Sequence, residues 1–245
     1  MSTLFISDLH LSAERPDITG LFIHFLQHEA RQADALYILG DLFDAWIGDD
    51  DLTPFHCRVI NALRALTDSG VAVYFIAGNR DFLIGRRFAR MTGVTLLPES
   101  AVIDLYGSAT LIMHGDTLCT LDTGYLRFRK VIRNRVLLAL LTRLPLAWRR
   151  ALAAKLRSGS ASQQPLSHEQ LRRMDATEEA VQAALVKSAA TRIIHGHTHR
   201  PDIHQHQLPD GQQATRIVLG DWYEQGSILA VHPDNTFELR NEPLS

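Results

Sequence analysis

Residues 3–10 read TLFISDLH, and this octapeptide decides the fold. An apolar run too short for a helix that stops at a carboxylate reads as a buried strand whose end delivers polar groups. The same grammar recurs along the chain. Residues 36–39 (LYIL) close on Gly40-Asp41, and residues 71–77 (VAVYFIA) close on Gly78-Asn79-Arg80-Asp81. Residues 110–113 (TLIM) lead into His114-Gly115-Asp116, and residues 191–194 (TRII) into His195-Gly196-His197-Thr198-His199. Between the early runs lie helical patterns. In residues 17–32, Ile18, Leu21, Phe22, Phe25 and Leu26 share a face; in residues 55–69, Val59, Ile60, Leu63 and Leu66 do. Strand–helix–strand alternation at this spacing predicts crossover units and an α/β sheet. Later β-type segments at 94–97, 101–106, 215–219, 227–231 and 236–239 have no helices between most of them, which predicts a second sheet or antiparallel additions to the first. Asp175 with Glu178 reads as the N-cap and partner acid of a helix to about residue 189.

Composition sets the outer limits. With 245 residues and 46% hydrophobic side chains, one large domain is expected and collagen-like, disordered or disulfide-stapled chains are excluded. The formal charge of −2 argues against a chain that simply coats nucleic acid. Cys57 and Cys119 have no framework or knuckle spacing and read as two small buried hydrophobes in a reducing compartment. Residues 1–15 lack the pattern of a signal peptide, and the six-residue run 136–141 is far short of the roughly 20 that a spanning helix needs, so a cytoplasmic location is expected.

In open α/β sheets, ligands bind outside the carboxyl ends of strands. Five strand ends here aim Asp8, His10, Asp41, Asn79, His114, His195 and His197 at one region. Oxygen and imidazole donors without thiolate suit manganese, iron or zinc. Seven donors exceed what one open ion needs and suit two ions sharing a carboxylate, an arrangement that clamps both oxygens of an in-line phosphoryl displacement. The spacing of His195, His197 and His199 leaves two H-x-H registers open, with His199 outside the ligand set in the preferred one.

These motifs resemble the calcineurin-like metallophosphoesterase superfamily. The resemblance implies a four-layer αββα sandwich in which Asp8, His10, Asp41 and His197 hold one metal and Asp41, Asn79, His114 and His195 the other. Longer stretches are more specific: residues 7–11, 39–49, 77–83, 113–120, 194–201 and 218–222 are similar to the UDP-2,3-diacylglucosamine diphosphatases of lipid A biosynthesis. That family hydrolyses a nucleotide-lipid pyrophosphate at the α-phosphorus, giving UMP and 2,3-diacylglucosamine 1-phosphate, usually with manganese. The resemblance implies catalytic roles for Asn79, Arg80 and His114. It also implies substrate contacts at Asn79, Arg80, Asp122, Tyr125, Ser160, Gln164, Ser167 and His195. Where the family usually offers Ser, Asn and Lys after its helical insert, this chain has Ser160, Gln164 and Ser167, so one cation is missing.

Residues 126–157 hold 10 basic side chains and no Asp or Glu, which leaves 15 basic against 27 acidic elsewhere. Large aliphatics interleave with the arginines at helical spacing, Pro145 breaks the pattern, and Trp148, Leu152 and Leu156 mark a face of a further helix. Two readings stand: a basic amphipathic surface for an anionic membrane, or a basic face packed on an acidic main domain. With the resemblance, residues 123–167 are expected to form a helical lid within a single domain of residues 1–245. The expected partners are an acylated UDP-sugar and the cytoplasmic face of the inner membrane, with no nucleic acid and no obligate protein partner. Residues 158–164 (SGSASQQ) read as a loop. Another phosphodiester substrate is the alternative.

Overall fold

Strand β1 (Thr3–Ile6) is buried on both faces, and its neighbours explain why. Leu4 and Ile6 pack with Phe22, Phe25, Val59 and Leu63 of helices α1 (Pro16–Gln27) and α2 (Pro54–Asp68). Phe5, one residue out of phase, points the other way into a second core with Ile112, Ile194, Ile217 and Leu229. Period-two alternation thus feeds two cores from one strand. The computed structural model describes residues 2–160 and 173–243.

Strands β1, β2 (Ala35–Ile38), β3 (Ala72–Phe75) and β4 (Thr95–Leu96) run parallel in register. Two late strands, β10 (Gln225–Val231) and β11 (Phe237–Pro243), add antiparallel to the β1 edge, giving the order β11-β10-β1-β2-β3-β4. The facing sheet contains β5 (Ser100–Leu105), β6 (Ser108–Met113), β7 (Arg192–His195), β8 (Asp202–Gln207) and β9 (Gln213–Val218), in the order β5-β6-β7-β9-β8. The segments 101–106 and 215–219 thus enter a second sheet and 227–231 and 236–239 add antiparallel to the first, whereas 94–97 contains β4, a parallel edge strand of the first sheet that neither expectation covered. Helix α7 (Glu178–Ser188) covers the second sheet, with Val181 and Leu185 packed on Leu111, Met113 and Ile193. Helices, two facing sheets and a helix make the four-layer αββα sandwich.

Several local readings need correction. The pattern over 17–32 is two elements: α1 ends at Gln27, and Ala30–Gln32 is a separate 3₁₀ turn. The N-cap of α7 is Thr177, which accepts from Ala180 N; Asp175 instead pairs with Arg200. Cys57 is exposed on α2, whereas Cys119 is buried as expected. Helix α3 (Arg86–Thr92) and edge strand β8 carry little apolar periodicity and were not legible. Asp49 reaches across to α3, accepting from Gly85 N, Arg87 N and Phe88 N at 3.0 Å each, a cap supplied from 36 or more residues away.

The basic segment forms α4 (Thr123–Ile132), α5 (Arg135–Leu141) and α6 (Leu146–Ser160). Pro145 does separate helices, and Asn134 makes a further break by capping α5. Four of its arginines meet the acidic main domain. Arg129 and Arg133 pair with Glu99 at 3.0 and 2.7 Å; buried Arg149 clasps Asp50 and donates to the Ile47 carbonyl; Arg150 pairs with Asp51 at 2.5 Å. The packed-face reading is thus realised on one side of the segment. On the other, Val131, Val136, Leu140 and Trp148 are 55–69% exposed among the exposed cations Arg127, Lys130 and Arg143. Residues 158–160 continue α6 rather than forming a loop, and 161–164 lie outside the described residues. No described helix is long and apolar enough to cross a membrane.

Candidate active site

The strand ends converge because their loops are zipped together by backbone bonds. Asp8 N donates to Gly40 O (3.0 Å), His10 N to Asp41 O (2.9 Å) and Gly196 N to His114 O (2.9 Å). Asp81 lies beneath, accepting from Gly78 N and Leu42 N at 2.8 Å each. Asp8, His10, Asp41, His197 and His199 all have φ between 47° and 69°. Non-glycine residues seldom take this left-handed region, and such strain clusters where function requires it. Two glycines make the approach possible: a Cβ at Gly78 would strike the Asp41 carboxylate, and one at Gly196 the Asp8 carboxylate.

Asp8, Asp41 and His114 bring ligand atoms within 4.8 Å of one another, and so do Asp8, His10 and His199. Asn79 Oδ1 lies 2.9 Å from His114 Nε2 and 3.1 Å from His197 Nδ1. His114 Nδ1 donates to the Leu39 carbonyl at 2.8 Å, which leaves Nε2 facing the carboxylates. Both ring nitrogens of His10 are buried without a hydrogen-bond partner among the described residues, Nε2 lying 3.8 Å from Asp41. Burial pushes the Asp41 carboxyl up to about 6, with the Asp8 charge adding to it. Burial holds His10 and His197 down to about 4, so both are neutral donors. Two close carboxylates, neutral imidazoles and orphaned ring nitrogens fit divalent cations.

His195 stands apart from this cluster. Its Nε2 accepts from Arg216 Nε at 2.9 Å and its Nδ1 donates to Gly196 O, so both ring nitrogens are engaged inside the second sheet. The expected contribution of His195 is therefore not assembled in this arrangement; the arginine holds its ring. His199 stands nearer, with Nε2 3.3 Å from Asp8 and Nδ1 2.9 Å from Asp221. Burial works against its charge, but these two carboxylates raise it to about 10.

Arg80 lines the adjoining cavity. Its N donates to Asp41 Oδ1 at 2.8 Å, and its Nε is buried without a hydrogen-bond partner among the described residues. The cavity, about 420 Å³, runs from His10, Asp41, Asn79 and His197 to an apolar wall of Trp46, Phe82, Leu83, Phe128, Ile132, Leu141 and Leu152. Asp122 lines it and caps α4 by accepting from Tyr125 N. Tyr125 donates to Asp116 Oδ2 at 2.6 Å, its ring 6.1 Å from that of His197. Asp116 also accepts from Arg129 Nε at 2.6 Å, and Arg133 donates to Gly78 O at 2.6 Å, so α4 is tied to the motif loops. Ser160 ends α6; Gln164 and Ser167 lie outside the described residues. Sequence reasoning did not reach Asp116, Asp221 or Tyr223 as parts of this site; the only signal was that each lies in or beside a motif already singled out.

Comparison with known proteins agrees with this geometry. The calcineurin-like phosphoesterase family matches residues 1–201, and the chain belongs to it. Within it, the chain falls in the family of UDP-2,3-diacylglucosamine hydrolases. The enzyme of that name from Photobacterium profundum is 55% identical over 234 residues, covering 96% of this chain and 94% of its own. That from Salmonella arizonae is 54% identical over 244 residues and covers both chains fully. That from Enterobacter sp. strain 638 is 55% identical over 231 residues, covering 94% of this chain and 95% of its own.

Proposed function

We propose that the chain hydrolyses the pyrophosphate of UDP-2,3-diacylglucosamine at the α-phosphorus, releasing UMP and 2,3-diacylglucosamine 1-phosphate, a step of lipid A biosynthesis. The observation that carries this is one cavity with phosphate chemistry at one end and an apolar wall at the other. A non-acylated phosphodiester would have no use for that wall. The substrate is amphiphilic in the same sense.

Asp8, His10, Asp41, Asn79, His114 and His197 would hold two manganese ions, with His195 joining them once its ring leaves Arg216. When bound, such ions polarise phosphoryl oxygens and acidify water. Arg80 offers a buried Nε, without a partner among the described residues, to a phosphate oxygen as negative charge develops. Asn79 Oδ1 lies beside His114 Nε2 and His197 Nδ1, so one amide oxygen and two imidazole nitrogens face the same spot as candidate ligand atoms. Asp81 ties the Gly78 and Leu42 loops together, so the donor set is organised before substrate arrives.

Helices α4–α6 act as a lid over the acyl chains, whose burial contributes about 0.8 kcal/mol per CH₂. The direct test supplies manganese and UDP-2,3-diacylglucosamine and detects UMP; the deacylated UDP-sugar should compete far more weakly. Equal competition would remove the role of the apolar wall, and no UMP would remove the reading.

Metal binding needs Asp41 deprotonated. Its carboxyl is raised to about 6, so protons compete below that value and not above it. His114 must also be neutral to bind metal, and although burial works against its charge, the Asp41 and Asp8 carboxylates raise it above its ordinary value, so manganese affinity should already decline through neutral pH and fall by at least about tenfold per unit below roughly pH 6. A titration series giving the same affinity at about pH 5 as at about pH 8 would contradict this.

The exposed Val136, Leu140 and Trp148 with Arg127, Lys130 and Arg143 support peripheral docking on the anionic cytoplasmic face of the inner membrane. The chain should sediment with anionic vesicles, and Trp148→Glu with Leu140→Glu should release it. Binding that persists in that double variant would place the docking surface elsewhere.

A further inference from the structure

The cavity has an aromatic wall that the proposed reaction leaves unused. Tyr223 lines it from the connection between β9 and β10 and is 45% exposed. Its ring lies parallel to that of His10, centroids 5.2 Å apart and planes within 2°, and 5.6 Å from the ring of His199. The position is fixed on either side. Trp222 is buried, with Nε1 donating to Ser227 O at 3.1 Å, and Arg15 Nη2 donates to the Tyr223 carbonyl at 2.7 Å. One ring face is therefore backed by an imidazole while nearly half of the side chain stays open.

The apolar wall comes from the loops around Trp46 and Phe82 and from α4–α6; the β9–β10 connection adds nothing aliphatic to it. A substrate with phosphates at Asn79 and Arg80 and acyl chains between those helices must carry its nucleoside away from them. The flank at His10 and His199 is where Tyr223 stands. A held aromatic ring with an open face suits a planar base, since every nucleobase presents a π face.

We infer that Tyr223 is the stacking platform for the nucleobase, and so a binding residue for the nucleotide half of the substrate. This rests on the pyrophosphatase reading above. The test uses the full chain loaded with manganese and titration calorimetry with each product separately. Tyr223→Leu keeps bulk over His10 but removes the π face. It should bind UMP about tenfold more weakly and the diacylglucosamine 1-phosphate unchanged, while Tyr223→Phe stays within about twofold of the parent for both. Unchanged UMP affinity in Tyr223→Leu overturns the inference. So does equal weakening of both products, with or without loss of metal, because it marks the ring as a prop for His10. Weakening confined to the lipid product overturns it as well, assigning the ring to the sugar. If Tyr223→Leu does not fold, Tyr223→Trp supplies the answer: UMP should quench its added fluorescence and ribose 5-phosphate should not. Absence of quenching is again a refutation. Product affinities are read without turnover, so the two readings fail separately. A parent that releases no UMP from the acylated substrate sinks the pyrophosphatase reading. A parent that does, with a leucine variant unaltered for UMP, sinks only the platform.

Discussion

Asp41→Ala is expected to abolish turnover, by at least about 10³-fold, and to lower bound manganese. The carboxylate lies between the two halves of the site. Its Oδ2 is 3.8 Å from His10 Nε2 and its Oδ1 is 3.8 Å from His114 Nε2. Oδ1 also accepts from Arg80 N, so the same side chain fixes the loop that presents Arg80. Asp41→Asn, which retains that acceptor, separates the two contributions: it should keep the loop but still lose metal. Without metal, burial raises the Asp41 carboxyl to about 6 despite the attraction of His114, and the Asp8 charge adds to the rise, so the ionised group is a cost to the folded chain at neutral pH. The metal-free variant should therefore be at least as heat-stable as the metal-free parent, whereas the parent alone gains on adding manganese. Metal content and thermal melts of the three proteins check this. Full activity in Asp41→Ala would end the two-metal reading.

Arg80→Ala is expected to cut kcat by about 10²-fold or more with a small change in KM. The backbone N of residue 80 keeps its bond to Asp41 in the variant, so the effect isolates the guanidinium. A buried Nε without a partner among the described residues is costly in the resting protein, and a phosphate oxygen would relieve it. Arg80→Lys should recover little, because a point charge does not reproduce a planar fork. A rise in KM at constant kcat would reassign Arg80 to uniform substrate binding.

The legible and illegible parts of this protein divide along a physical line. Residues 3–10 could be read because a strand buried on both faces must be apolar and must stop where polar groups begin. The runs that end at Asp41 and Asn79 are buried on one face and only partly covered on the other, and the run that ends at His114 is buried over its last four residues, so each is still apolar up to its polar end. Helix α3 and strand β8 could not be read, since one is started by Asp49 from a distant loop and the other is a polar edge strand. The charge contrast around residues 126–157 was visible, but two readings of it had equal standing. The fold divides them between two sides of one segment: Arg129, Arg133, Arg149 and Arg150 go to acidic partners, and Val136, Leu140 and Trp148 go to solvent.

The sequence by itself determined the α/β class, the strand ends that carry the donors, and the family, because each depends on local order along the chain. Only the tertiary structure decided which groups meet. His195 and His199 are equivalent in spacing, yet Arg216 holds one ring within the second sheet while Asp8 and Asp221 hold the other at the site. Tyr223 became part of the cavity only when the β9–β10 connection folded beside His10. Distances between residues two hundred positions apart are set by sheet packing, and no local pattern encodes them.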